Sequence, residues 1–342
     1  MKKTVLGLII IGIAAAGAAC GAKDVSEPEN GREIKIGVSV YDQYDTFIAS
    51  ILDDLNEDVL KARSETGRGI VLETYNSAQS QSTQDDQVEE MIKDGCDVIC
   101  VNLVDRTAPS NIIEAARNAD VPIVFFNREL VDEDMHRWDK LYYVGADAFL
   151  SGIMQGELAV DVIKEKNVDR NKDGEIQYVM LEGEAGHQDA IVRSENCVKR
   201  MLELGVKLDK LGYAIANWNR AQAATQMEKM IKNYGSEIEF VFANNDDMAL
   251  GAIDAYTASG MNRNKWPCII GIDGTAPGLA AVKDGTMEAT VYNDAKGQAD
   301  AIFQLAYRLS CGESLSGFPL QGDKYIRLPY QKITPENVDE FS

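Results

Sequence analysis

Residues 169–193, DRNKDGEIQYVMLEGEAGHQDAIVR, concentrate the side chains that could do chemistry. Asp169, Asn171 and Asp173 set hard oxygen ligands at alternate positions, and Gly174 permits a sharp turn. Glu175 needs only its backbone carbonyl, and Gln177 offers an amide oxygen. This is the spacing of the first nine positions of an EF-hand calcium loop. Position twelve, where a bidentate Glu closes the shell, is Met180, whose thioether does not ligate calcium. Either a carboxylate from elsewhere in the chain completes the shell, or the stretch is a solvated turn between helix and strand. Directly after it, a glycine-bearing turn (183–186) leads to His187, Asp189 and Arg193. Asp189 and Arg193 are four apart and share a helix face. An exposed pair of that kind contributes little. Three uncommon polar groups on one βα turn instead suit a ligand site, because open α/β sheets bind at the carboxyl ends of their strands.

The elements that must position these groups follow a repeating order. Apolar strand-like runs at 34–40, 70–76, 98–101 and 122–126 alternate with helical patterns at 47–64, 82–94 and 110–118. After 142–145 a second series begins. Its helices fall at 151–166, 189–204, 220–234, 247–259 and 279–284, and its strands at 177–181, 211–216, 240–243, 268–271 and 289–291. The alternation predicts an α/β fold with parallel sheets and helices on both faces. Helix 297–310 and strand 325–328 come late and are candidates to complete the first lobe, which would make both domains discontinuous. The predicted strand ends carry Asp45 and Phe47, Asn127, His187 and Asp189, Trp218, Asn244, Asn245, Asp246, Asp273 and Asn293. Planar carboxylate, amide and guanidinium groups orient and pair hydroxyls. Phe47 and Trp218 could flank the partly apolar faces of a sugar ring.

Composition narrows the function classes. The 342 residues are 45% apolar, enough for two lobes with their own cores. The net charge of −21 excludes nucleic-acid binding through phosphates and is compatible with a divalent cation. Lys2, Lys3, the apolar run 5–13 and AAAGAAC read as a signal peptide over residues 1–19. That run is short against the ~20 apolar residues of a spanning helix. The small residues before Cys20 make it the expected lipid-bearing residue and membrane anchor, with 20–33 as a tether, although Gly17 stands where Leu is more usual. Cys96, Cys100, Cys197, Cys268 and Cys311 are odd in number and lack a CxxC, so free thiols are expected, with Cys96 and Cys100 in one apolar strand. Asp45, Asp189 and Asp273 could imitate a glycosidase carboxylate pair. No G-x-S-x-G elbow or metal-histidine cluster accompanies them, so the chain reads as a binder, not an enzyme.

Ten segments together resemble the bacterial periplasmic galactose/glucose-binding proteins. They are IGVSVYDQYDTF (36–47), NLVD (102–105), VPIVFFN (121–127), YYVGAD (142–147), DRNKDGEIQ (169–177), GEAGHQDAIVR (183–193), NWNRAQA (217–223), FANNDDMALGA (242–252), GIDG (271–274) and TVYNDA (290–295). The resemblance spans residues 34–342. It implies the type I periplasmic binding protein fold, two Rossmann-like lobes joined by three hinge crossings. The N-terminal lobe would be 34–144 plus 295–328, and the C-terminal lobe 145–294 plus 329–342. It also implies a sugar site of Asp45, Phe47, Asn127, His187, Asp189, Arg193, Trp218, Asn245, Asp273 and Asn293. Asp45 would serve the sugar 4-position in both epimers, and the two aromatics would sandwich the ring. None of the ten is substituted, which implies D-galactose or D-glucose over ribose, arabinose or a furanone. The implied structural calcium site is Asp169, Asn171, Asp173, the Glu175 carbonyl, Gln177 and a distant Glu239. The implied role is a monomeric solute-binding lipoprotein that serves an ABC permease and its ATPase. The alternative is a sugar sensor presenting ligand to a chemoreceptor, as in chemotaxis, or to a histidine kinase. Departures from the family pattern lie at 129–140 and 257–265.

Overall fold

The computed structural model describes residues 32–341, so the expected signal peptide, Cys20 and all but the end of the tether lie outside the described residues. The first series forms β1 (Ile34–Val40), α1 (Thr46–Thr66), β2 (Ile70–Asn76), α2 (Gln81–Lys93), β3 (Val98–Val101), α3 (Ser110–Ala119), β4 (Ile123–Phe126), a single turn α4 (Asp132–Met135) and β5 (Leu141–Ala146). β3 and β4, VICV and IVFF, are buried at every residue. Continuous apolar runs without alternation mark parallel strands covered on both faces.

The second series runs α5 (Ala148–Glu165), β6 (Ile176–Glu182), α6 (Gln188–Glu203), β7 (Leu208–Ile215), α7 (Arg220–Tyr234), β8 (Phe240–Ala243), α8 (Asp246–Ser259), β9 (Cys268–Ile270), α9 (Ala276–Lys283) and β10 (Thr290–Tyr292). The chain closes with α10 (Ala295–Ser310), β11 (Tyr325–Leu328) and β12 (Gln331–Ile333). One lobe holds a parallel six-stranded sheet in the order β11-β5-β4-β3-β1-β2. α1 and α10 pack on one face, α2 and α3 on the other. The other lobe holds the parallel sheet β7-β6-β8-β9, between α5 and α6 on one side and α7, α8 and α9 on the other. β10 extends this sheet through the bridges Ile270–Ala289 and Asp273–Tyr292.

The chain passes between lobes three times, from β5 into α5, from β10 into α10, and from β11 into β12. Three details differ from the sequence expectation. β5 stays in the first sheet to Ala146, so the first passage follows residue 146, not 144. β12 pairs antiparallel with β10, an exception to the parallel rule; three residues carry no readable period. Cys96 lies in the turn before β3, not in the strand. The five cysteines from Cys96 to Cys311 are free.

Candidate functional site

The carboxyl ends of both sheets face a shared cleft, and helix caps place three of its polar groups. Asp45 caps α1 by accepting from Ile48 N at 2.9 Å, while its other oxygen accepts from the Tyr41 hydroxyl at 2.6 Å. His187 caps α6, its Nδ1 accepting from Asp189 N at 3.1 Å. Asn245 caps α8 through Met248 N at 2.9 Å and donates to the Trp218 carbonyl at 3.2 Å. An N-cap side chain is fixed by the helix it starts, so each of these groups is held before any ligand arrives.

These residues gather around one concave cavity that opens to solvent, the form small-molecule sites take. Asp45, Phe47, Asn127, His187, Asp189, Arg193, Trp218, Asn245 and Asp273 all line it. Asn293 does not. It lines the adjoining pocket with Phe47 and Asp273, where its Oδ1 accepts from Gln298 Nε2 at 2.7 Å. Three further lining residues, Tyr41, Ile48 and Arg128, escaped the sequence reading. Arg128 directly follows Asn127 at a strand end, a signal that was present but unused.

Arg193 is the electrostatic centre of the cleft. It is 4% exposed, with NH1 3.7 Å from Asp273 and NH2 4.0 Å from Asp189. It donates to the Asn244 carbonyl at 2.7 Å and to the Tyr330 hydroxyl at 3.2 Å. Its Nε is buried without a hydrogen-bond partner among the described residues. The surface ion pair weighed from sequence is therefore a buried one, between Asp189 and Asp273. Burial pushes the Asp273 carboxyl well above the carboxylate range and raises Asp189, against the pull of Arg193 on both.

Trp218 sits in left-handed backbone, φ 60°, and its indole lies over Gly183. A Cβ at 183 would lie 2.2 Å from the ring, so the glycine-bearing turn exists to seat the tryptophan. The His187 ring meets the indole edge to face at 5.2 Å. Burial, then Arg128, Arg193 and Arg106, hold the His187 pKa well below 6.5. The imidazole is neutral near pH 7, with Nδ1 accepting and Nε2 left to donate. Because the folded pKa is depressed, the unfolded chain takes up this proton first. Stability from this group is complete above pH ~6.5 and is lost as pH falls below it. His187→Asn should flatten that loss in denaturant titrations at pH 7 and pH 5; an unchanged slope would place the charge elsewhere.

Two bonds cross between the lobes at the rim. Thr46 Oγ1 donates to Asp247 at 2.6 Å, and Arg128 NH2 pairs with Glu184 at 2.9 Å. Arg128 also stacks on Tyr41, 3.7 Å from the ring centre.

At the amino end of β6 lies the oxygen-rich loop. Lys172 (φ 62°) and Gly174 (φ 83°) turn it so that its alternate side chains meet. Asn171 Nδ2 is 2.8 Å from Asp173 and 3.1 Å from Gln177 Oε1, and Gln177 Nε2 is 2.9 Å from the same Asp173 oxygen. The Glu175 backbone N–H holds the Asp173 carboxyl below its ordinary range. Glu239, 2% exposed, accepts from Arg170 N at 2.5 Å and Gln177 N at 3.2 Å, closing the loop at its base. Among the described residues no three Asp, Glu, His or Cys side chains cluster tightly enough to hold a metal by themselves. The loop's capacity rests on carboxylates interleaved with amides, which fits a hard, oxygen-seeking cation.

The periplasmic binding protein domain model matches residues 36–314. The chain is 32% identical to the D-galactose/methyl-galactoside binding periplasmic protein MglB of Haemophilus influenzae, over all of this chain and 99% of that one. It is 30% identical to a xylitol-binding protein of Mycolicibacterium smegmatis, over 96% and 86% of the two chains. An ABC transporter solute binding protein from Bacillus halodurans with bound myo-inositol superposes with TM-score 0.76 at 28% identity, over 92% of this chain and 99% of that one.

Proposed function

The chain belongs to the periplasmic binding protein family, and from that premise we propose that it captures D-galactose or D-glucose between its lobes and delivers the sugar to an ABC importer. The observation that carries this reading is Arg193, buried with Asp189 and Asp273 in a cavity that Phe47 and Trp218 also line. Each carboxylate near Arg193 keeps acceptor capacity for sugar hydroxyls, and the orphaned Nε–H is a donor that a hydroxyl oxygen can satisfy. Leaving such a buried donor unmet costs ~1–3 kcal/mol. Asp45 accepts two donors already, which leaves lone pairs for either epimer at one ring position.

Phe47 and Asp45 belong to one lobe, Trp218 and Arg193 to the other, so a bound ring touches both only when the cleft is shut. The sugar stabilises the shut form through contacts absent from the open one. Groups held by helix caps and ion pairs need little reordering on binding. We propose further that the loop 169–177 and Glu239 hold a structural calcium ion, a reading supported by the alternating oxygen side chains of the loop. Bound there, the cation would supply a central charge for Asp169, Asn171, Asp173, the Glu175 carbonyl, Gln177 and Glu239, and stiffen the entry to β6.

Calorimetric titration with galactose, glucose and ribose tests the reading. Saturable heat is expected with a hexose and not with ribose. Trp218→Ala should raise the hexose Kd ~100-fold or more, since truncating a packed indole costs ~3–5 kcal/mol. No heat with either hexose, or unaltered affinity in the variant, would overturn it.

A further inference from the structure

We infer that Asp246 is a positioning residue for sugar binding, acting through Asp273, an inference that rests on the sugar-site reading above. Asp246 opens α8, is fully buried and does not line the cavity. Its Oδ2 accepts from Thr275 N at 2.8 Å and Thr275 Oγ1 at 3.2 Å, and its Oδ1 accepts from Thr290 Oγ1 at 2.6 Å. Thr275 lies two residues after Asp273, and Thr290 starts the strand that pairs with it. Asp273 N donates to the Val291 carbonyl at 2.8 Å, and the Asp273 carbonyl accepts from Asn293 N at 2.9 Å. One carboxylate therefore clamps both segments that hold Asp273.

The clamp has a task, because Asp273 sits at φ 120°, a conformation that L residues adopt only when their surroundings enforce it. The space around Asp246 is reserved for it. A Cβ at Gly271 would lie 2.3 Å from Oδ1, and one at Gly278 2.1 Å from Oδ2. These glycines flank the Asp273 turn on either side. Burial drives the Asp246 carboxyl up to about 7, so a carboxylate here is costly to the fold. An acceptor for three donors on two segments is what it returns. Released from it, the Asp273 turn relaxes toward ordinary φ and moves its carboxylate off the cavity wall and away from Arg193.

Asp246→Asn keeps the volume but turns one acceptor into a donor. Its hexose Kd should rise roughly tenfold to hundredfold. The deciding measurement is a double-mutant cycle with Asp273→Asn, titrated at sugar concentrations that saturate both backgrounds. If Asp246 works through Asp273, its substitution costs no further affinity once Asp273 is changed. Equal losses in both backgrounds, or no loss in either, would overturn the inference. Should Asp246→Asn not fold, Thr290→Val removes one clamp bond outside the cavity and goes through the same cycle. A rise of roughly threefold to tenfold, absent in Asp273→Asn, supports the clamp; unchanged affinity overturns it. A wild-type protein that binds no hexose would instead sink the sugar-site reading itself.

Discussion

Arg193→Met should lose hexose affinity by more than ~100-fold and unfold ~3–5 kcal/mol more easily. The substitution keeps most of the side-chain volume but leaves the buried Asp189 and Asp273 carboxyls without the cation between them. Burial works against the charge of Arg193, yet Tyr330, Asp273 and Asp189 together raise its pKa, so the guanidinium is ionised at every accessible pH. Its loss also strands the Asn244 carbonyl and the Tyr330 hydroxyl. Arg193→Lys separates the two effects. A lysine restores the charge without the planar fork, so it should recover more of the stability than of the affinity. Denaturant melts and calorimetry on both variants give the answer. Affinity in Arg193→Met within threefold of wild type would remove Arg193 from the site.

Chelation by EDTA should lower Tm by ~4 °C while leaving hexose affinity within about twofold. A ligand at a hundred times its Kd stabilises by ~2.7 kcal/mol, and each kcal/mol moves a chain of this size by ~1.5 °C. Sugar binding should be spared because the loop and the cleft lie at opposite ends of β6, whose 7 residues span ~23 Å. Glu239→Ala removes the acceptor at the base of the loop and will lower Tm by itself. The decisive observation is that its melt no longer responds to added calcium. A wild-type melt indifferent to both EDTA and calcium would make the loop a hydrogen-bonded turn and nothing more.

What could be read before the fold was seen had a local cause. Polar groups at strand ends were legible because the apolar run stops where the cap begins, as at Asp45 and Asn245. The turn at 169–177 was legible because alternate oxygen side chains with a glycine at the sixth place favour a tight, self-bonded loop. Glu239 was legible only by resemblance, because it lies 62 residues from Gln177 in sequence and meets it through the pairing of β6 with β8. Tyr330 left no trace; it reaches Arg193 from 137 residues away on the last passage between lobes. Arg128 carries no mark in the sequence beyond its place after Asn127, and only the fold shows it 3% exposed against Tyr41. The room Gly183 leaves for a ring was implicit in the GEAG turn, although which ring required it was not.

The Thr46–Asp247 and Arg128–Glu184 links have a kinetic consequence. Both must break whenever cargo is surrendered, so they slow unloading as surely as they favour capture. Neither Thr46 nor Asp247 lines the cavity. Import throughput therefore depends partly on two residues that never meet the cargo, and a faster carrier can evolve at them without relearning which sugar to hold.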